Sequence, residues 1–168
     1  GFLGSEIAKQ GLALGYEVRG IARGTYPELE ALGVQMFKGD LASPKSLTEA
    51  AKDCVAIFHV AAKAGAWGPK ADFEASNILA TENVIQACLT HKIPKLIYTS
   101  SPSVIHAGGD IEGADESIPY PEHFIADYPR TKAIAEQKVL AAQSDELNVV
   151  SLRPHLIWGP GDRHLIPR

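Results

Sequence analysis

Apolar positions recur along the chain in two alternating periods. Leu3, Ile7 and Leu14 fall on one face of a predicted first helix, which Gly15 stops, and residues 16–22 then read as a strand. Pro27 opens a short helical segment closed by Gly33, and residues 34–37 form a second short strand. Gly39-Asp40-Leu41 leads into a helix capped by Ser43, started by Pro44 and ending near Asp53. Residues 54–60 are nearly all apolar, the pattern of a central parallel strand covered on both faces. After the small-residue run that ends at Gly65, a helix from about Phe73 to His91 turns Ile78, Val84, Ile85, Cys88 and Leu89 toward the core. Residues 95–100 are another strand, and a helix reaching about Ala142 precedes a last strand over 148–153. Between them, residues 108–127 form a long acidic loop, of a length that compact domains keep for function or leave disordered.

Strands alternating with helices predict an α/β fold with a Rossmann-type doubly wound parallel sheet. No repeat, low-complexity tract or linker interrupts it, so residues 1–168 read as one domain. A net charge of -4 without a basic run lacks the electrostatic footprint of nucleic-acid binding. Cys54 and Cys88 are too few and too far apart for a metal knuckle or a disulfide framework, and are expected as small core residues in a reducing compartment. His59, His106 and His155 have no spacing that suggests a metal or a nucleophilic triad, and the adjacent acids Asp115 and Glu116 are expected in solvent. No metal is expected. No apolar run reaches the roughly 20 residues of a membrane span, and a cytoplasmic protein is expected. The chain opens on Gly1 instead of Met and stops at Arg168 soon after a Gly/Pro-rich turn, as a fragment would.

The candidate chemistry begins with Tyr128-Pro-Arg-Thr-Lys132. Positions four apart share a helix face, so the spacing puts the Lys132 charge near the Tyr128 hydroxyl, where a cation favours the phenolate and suits a proton shuttle. Pro129 is at ease only in the first turn of a helix, which sets Tyr128 at the helix start. Gly1-Phe2-Leu3-Gly4 matches the last two glycines of a dinucleotide-binding fingerprint, whose amides and helix start receive a pyrophosphate. About 20 residues on, where an NAD site keeps an acid for the ribose hydroxyl, the chain has Arg23. A guanidinium there attracts a 2'-phosphate, which favours NADP(H) over NAD(H). Asp40 could accept from an adenine amino group, or simply enter the next helix.

With these residues in place, the chain resembles the extended short-chain dehydrogenase/reductases over essentially its whole length. The likeness is carried by Gly1 to Gly4, Gly39-Asp40-Leu41, His59-Val-Ala-Ala62, Asn77 with Thr81 and Asn83, Tyr98-Thr-Ser-Ser101, Tyr128 with Lys132, and Arg153-Pro154 with Gly159-Pro-Gly-Asp162. Residues 61–68 and 153–162 look most like the 3-beta-hydroxysteroid dehydrogenase-type branch, among it the bacterial 2-alkyl-3-oxoalkanoate reductases. The resemblance implies a fold whose first strand and C-terminal substrate domain lie outside residues 1–168. It makes Tyr128 the acid or base at a carbonyl or alcohol oxygen, and gives Lys132 the nicotinamide ribose hydroxyls and the task of lowering the Tyr128 pKa. Ser101 becomes a donor to the substrate oxygen, with Ser100 and Ser103 as competitors for that role. Ala61, Ala62 and Lys63 would run beside the adenosine ribose, Leu41 would follow Asp40 at the cofactor, Pro154 would approach the nicotinamide, and Asn77 and Thr81 would be structural.

The implied activity is NAD(P)H-dependent reduction of a ketone, or oxidation of its alcohol, on a hydrophobic beta-keto or steroid-like molecule. Trp67, Tyr120, Phe124 and Ile125 give the loops an apolar character in keeping with such a substrate. A nucleotide-sugar epimerase or dehydratase uses the same residue set, and a non-catalytic NADP-binding sensor or scaffold keeps only the fold. A homodimer is left open as the assembly.

Overall fold

The computed structural model describes residues 1–162. Along the chain run α1 (Phe2–Ala13), β1 (Arg19–Ala22), α2 (Pro27–Glu30), β2 (Gln35–Lys38), α3 (Pro44–Ala51), β3 (Ile57–His59), α4 (Lys70–Phe73), α5 (Ala80–Thr90), β4 (Lys95–Thr99), α6 (Asp127–Ala141) and β5 (Asn148–Leu152). A π-helical turn over Glu74–Leu79 joins α4 to α5 into one continuous rod, and a single 3-10 turn, Pro102–Ile105, follows β4. All pairings are parallel, with β1 on β2 and the order β3-β4-β5 in a second group. In the doubly wound order 3-2-1-4-5-6, these groups match strands 2 and 3 and strands 4 to 6. The position of strand 1, between β1 and β3, holds no strand among the described residues.

Local chemistry sets the element ends. Pro44 starts α3 behind Ser43, and Pro129 occupies the third position of α6, inside the turn whose amides need no helical partner. At the exit of β2 a Cβ on Gly39 would stand 2.6 Å from the Ser46 Cβ, so only glycine lets the strand pass this close to α3. The main core lies between the β3-β4-β5 sheet and helices α3, α5 and α6, and is built from Leu47, Val84, Cys88, Ile93, Leu96, Tyr98, Val139 and Leu147. A smaller cluster of Ala8, Leu29 and Val34 packs α1 and α2 beside β1 and β2.

Several expectations need correction. The first strand begins at Arg19, not residue 16, and the strand expected over 54–60 keeps only Ile57–His59. Neither is that strand covered on both faces. Phe58 is 52% exposed while His59, on the opposite face, is buried, so one face of β3 lies open among the described residues. Leu14 lies past the end of α1 and Leu89 on the outer side of α5, both exposed, so neither joins the core. Among the described residues no helix is long and apolar enough to cross a membrane, and no group of three His, Cys, Asp or Glu side chains could hold a metal ion.

Candidate active site

Parallel strands end together, and loops beyond their carboxyl ends are where open α/β sheets gather ligands. Arg23 directly follows β1, Asp40 and Leu41 follow β2, Ala61 to Lys63 follow β3, Ser101 follows β4 and Pro154 follows β5. The remaining pair, Tyr128 and Lys132, stands on α6, which packs against the 3-10 turn after Ser101, the π turn and β5.

Ser101 is partly buried and caps the 3-10 turn. Its Oγ accepts the Ser103 amide at 3.2 Å and shares a hydrogen bond with Ser103 Oγ at 2.8 Å. The neighbouring Ser100 is buried, facing the Glu136 carboxylate without hydrogen-bond geometry. Tyr128 is partly exposed in the first turn of α6, and its phenol has no hydrogen-bond partner among the described residues. Lys132 points inward. Only 2% exposed, it donates from Nζ to the Thr99 carbonyl at 2.6 Å and lies over the Tyr98 ring at 4.1 Å. Burial pushes its pKa down to about 7, against the pull of the Glu136 carboxylate. The expected link to the Tyr128 hydroxyl is therefore not a hydrogen bond in this structure: the buried ammonium takes the backbone acceptor beneath it.

Beneath the pair lies a polar cluster that spacing alone did not reveal. Glu136, fully buried, accepts from Tyr120 OH at 2.7 Å, from Ser151 Oγ at 2.9 Å and from Arg153 Nε at 3.0 Å. Burial alone would raise its pKa, but hydrogen bonds led by Arg153 hold it below the usual carboxylate range. The Tyr120 phenol is pushed up to about 12 by burial and by its bond to Glu136, so it stays a donor and ties the long loop to α6. Sequence offered one signal, an acid four residues after Lys132 on the helix, but that pattern usually marks a solvated face.

Asn77 occupies the π turn and is 1% exposed. Its Oδ1 accepts the Lys63 amide at 2.7 Å, and its Nδ2 donates to the Lys63 carbonyl and to Thr131 Oγ1, both at 3.0 Å. One side chain thus fixes the loop after β3 to the helix that carries Tyr128. Thr81 Oγ1 donates to the Asn77 carbonyl at 2.6 Å and lies 2.9 Å from His59 Nε2. The buried His59 is held near a pKa of about 3 by desolvation and by the Lys132 charge, which makes it a neutral structural residue.

The residues expected at a dinucleotide differ in how open they are. Arg23 is exposed beyond β1, and its guanidinium has no carboxylate partner among the described residues. Space in front of Gly1 and Gly4, at the start of α1, is open, since a Cβ on either would meet nothing within 4 Å. Phe2 and Leu3 are partly buried in the first turn of α1. Asp40 is exposed but spends Oδ1 on the Ala42 amide at 2.9 Å, while Leu41 is pinned through its carbonyl by Asn83 Nδ2 at 2.8 Å. Ala61 and Ala62 leave their small side chains in solvent, and Pro154 is partly buried at the end of β5.

The profile of the 3-beta hydroxysteroid dehydrogenase/isomerase family matches residues 1–168. A 2-alkyl-3-oxoalkanoate reductase of Shewanella oneidensis is 49% identical, covering 100% of this chain and 45% of the relative. A decarboxylating sterol-4-alpha-carboxylate 3-dehydrogenase of Bos taurus is 39% identical, over 99% of this chain and 47% of its own length. Among solved structures, the Thermus thermophilus UDP-glucose 4-epimerase complex with NAD superposes with a TM-score of 0.83 at 30% identity, over 98% of this chain and 55% of the epimerase. The chain spans about half the length of the curated relatives it matches. With that match running from the first helix through the Arg153-Pro154 turn, the chain belongs to the 3-beta hydroxysteroid dehydrogenase/isomerase family.

Proposed function

We propose that the protein carrying this chain is an NADP(H)-dependent oxidoreductase that reduces the ketone of a hydrophobic beta-keto or steroid-like compound, with Ser101, Tyr128 and Lys132 as its working residues. The observation that carries this reading is the different state of three tyrosines around α6. Tyr98 is buried, with its pKa raised by burial, and Tyr120 is bonded to Glu136. Tyr128 alone of the three combines partial exposure with a phenol that no described residue engages.

Charge develops on the carbonyl oxygen as the ketone is reduced. The Tyr128 phenol gives that oxygen a proton, and Ser101, oriented by its bond to Ser103, donates a hydrogen bond to the same atom. Lys132, fixed by the Thr99 carbonyl, supplies positive potential beneath the site without being free to swing away. A bound nicotinamide supplies the hydrogen and electron pair that the carbonyl carbon receives. Lys132 and Pro154 would hold its nicotinamide end, and Ala61 to Lys63, Arg23, Asp40, Leu41 and Gly1 to Gly4 its adenosine and pyrophosphate end. The preference for NADP(H) rests on the Arg23 cation, unpaired among the described residues, where an acid would repel a 2'-phosphate. Support for a reductase comes from the 49% identity to the oxoalkanoate reductase.

The test follows cofactor absorbance with 2-alkyl-3-oxo acids, a 3-beta-hydroxysteroid and UDP- or dTDP-sugars. Turnover of the first or second group is expected. Cofactor binding without turnover of either would defeat the proposal.

A further inference from the structure

We infer that the cleft between Trp67 and Ile125 is the subsite for the hydrocarbon chain of the substrate, an inference that rests on the proposed reduction of a hydrophobic ketone. The cleft, about 370 Å³, is lined by Trp67, Gly68, Phe73, Ile125, Ala126 and Asp127 among others, and so reaches the residue that precedes Tyr128. Trp67 is 91% exposed and Ile125 80% exposed, a costly display of two large apolar groups on facing loops. The display is built. Gly65 and Gly68 bracket Ala66-Trp67 with φ of 117° and 147°, conformations that side-chain-bearing residues avoid. A Cβ on Gly68 would also press on the Lys63 stem, 3.1 Å from its Cε.

The walls reject charge as well as offering apolar surface. Asp127 is the only ionisable lining residue among the described residues, and its carboxylate is already taken by Arg130, with Nε at 3.0 Å and Nη2 at 2.9 Å. Arg130 is itself shared with Glu74 at 2.9 Å, and the Lys63 ammonium beside the floor pairs with Asp72 at 3.1 Å. Among the described residues no unpaired charge lines the cleft to recruit a sugar phosphate or a carboxylate. An uncharged chain entering between Trp67 and Ile125 covers both, and brings a carbonyl attached to it toward Tyr128.

The experiment uses the full chain in two arms. Isothermal titration with 3-hydroxyalkanoates of six to twelve carbons reads the subsite alone, and kcat/KM for the matching 3-oxoalkanoates reads it during reduction. Affinity should tighten by about fourfold per added methylene, as burial of each CH₂ in apolar surroundings implies. Trp67→Ala combined with Ile125→Ala, both at exposed positions the fold does not depend on, should flatten that slope in both arms while leaving the six-carbon ligand within about twofold. A flat slope in the unmodified protein, or one that survives both substitutions, overturns the inference. Length-dependent binding without turnover of any oxo acid would retain the subsite and refute the reduction instead.

Discussion

Lys132 Nζ stands 2.6 Å from the Thr99 carbonyl oxygen, so a lysine that solvent barely reaches is anchored to the last residue of the central strand. Its pKa of about 7 lies below the ordinary value of 10.5 because burial penalises the charge. Between those two values the unfolded chain binds the proton more tightly, so stability rises with pH through that window. From pH 7 to 8, below the ordinary cysteine and tyrosine values, the gain should be about 1 kcal/mol. Lys132→Met should abolish both that slope and turnover. Denaturant titrations at several pH values check this, and a slope unchanged in the variant would show that another group titrates.

Tyr128→Phe removes one phenolic oxygen and little else, since that oxygen bonds to no described residue and the ring is only partly buried. Stability should stay within about 0.5 kcal/mol. Loss of the proposed general acid should lower kcat by about 10²- to 10⁴-fold, with cofactor affinity within twofold. Steady-state kinetics beside a cofactor titration separate the two effects, and retained kcat would assign the proton to another group.

Asn77 can be replaced neither by an apolar residue nor by an acid. It meets both the amide and the carbonyl of Lys63, which requires a donor and an acceptor on one short side chain. Asn77→Asp keeps the acceptor but sets a carboxylate against the Lys63 carbonyl, and Asn77→Leu abandons both groups. Each should cost about 2–3 kcal/mol, the penalty of leaving buried polar groups unsatisfied. Thermal unfolding measures it, and an aspartate variant as stable as the native protein would mean that the clamp contributes little.

What the sequence made legible were features with a local cause. The entries of α3 and α6 follow from Pro44 and Pro129, and the strand-helix alternation from apolar periodicity. The π turn at Glu74–Leu79 escaped, because one widened turn hardly disturbs the apolar spacing of a helical rod that continues on either side. Glu136 escaped for a different reason: Tyr120, Ser151 and Arg153, its partners, lie 15 to 17 residues away, and only tertiary packing makes that acid buried. Motif spacing singled out Tyr128 and Lys132 as candidates but not the direction of the lysine, which depends on where the strand beneath leaves a carbonyl.

Arg23 stands past the end of β1 with no acid holding it among the described residues. Arg23→Ala should weaken NADPH by about tenfold or more, the scale of one lost charge-assisted hydrogen bond, and change NADH by less than twofold. Equal weakening of the two cofactors in paired titrations would remove the phosphate role.

His59 makes acid sensitivity a property of the core. In the folded chain its pKa is about 3, because burial and then Lys132 oppose the charged ring, whereas the unfolded value is 6.5. The unfolded state therefore takes up a proton first. The stability due to neutral His59 is complete above pH 6.5 and is lost as pH falls toward 3. Glu136, whose folded pKa is lowered from 4.5, adds its own loss only below that value, so the interval from pH 6.5 to 4.5 isolates the imidazole. Across it the native protein should lose about 2 kcal/mol. His59→Gln, which keeps an amide within reach of Thr81, should lower stability at pH 7 yet flatten this interval. Urea unfolding at pH 6.5, 5.5 and 4.5 gives the comparison, and parallel curves for the two proteins would place the acid sensitivity elsewhere.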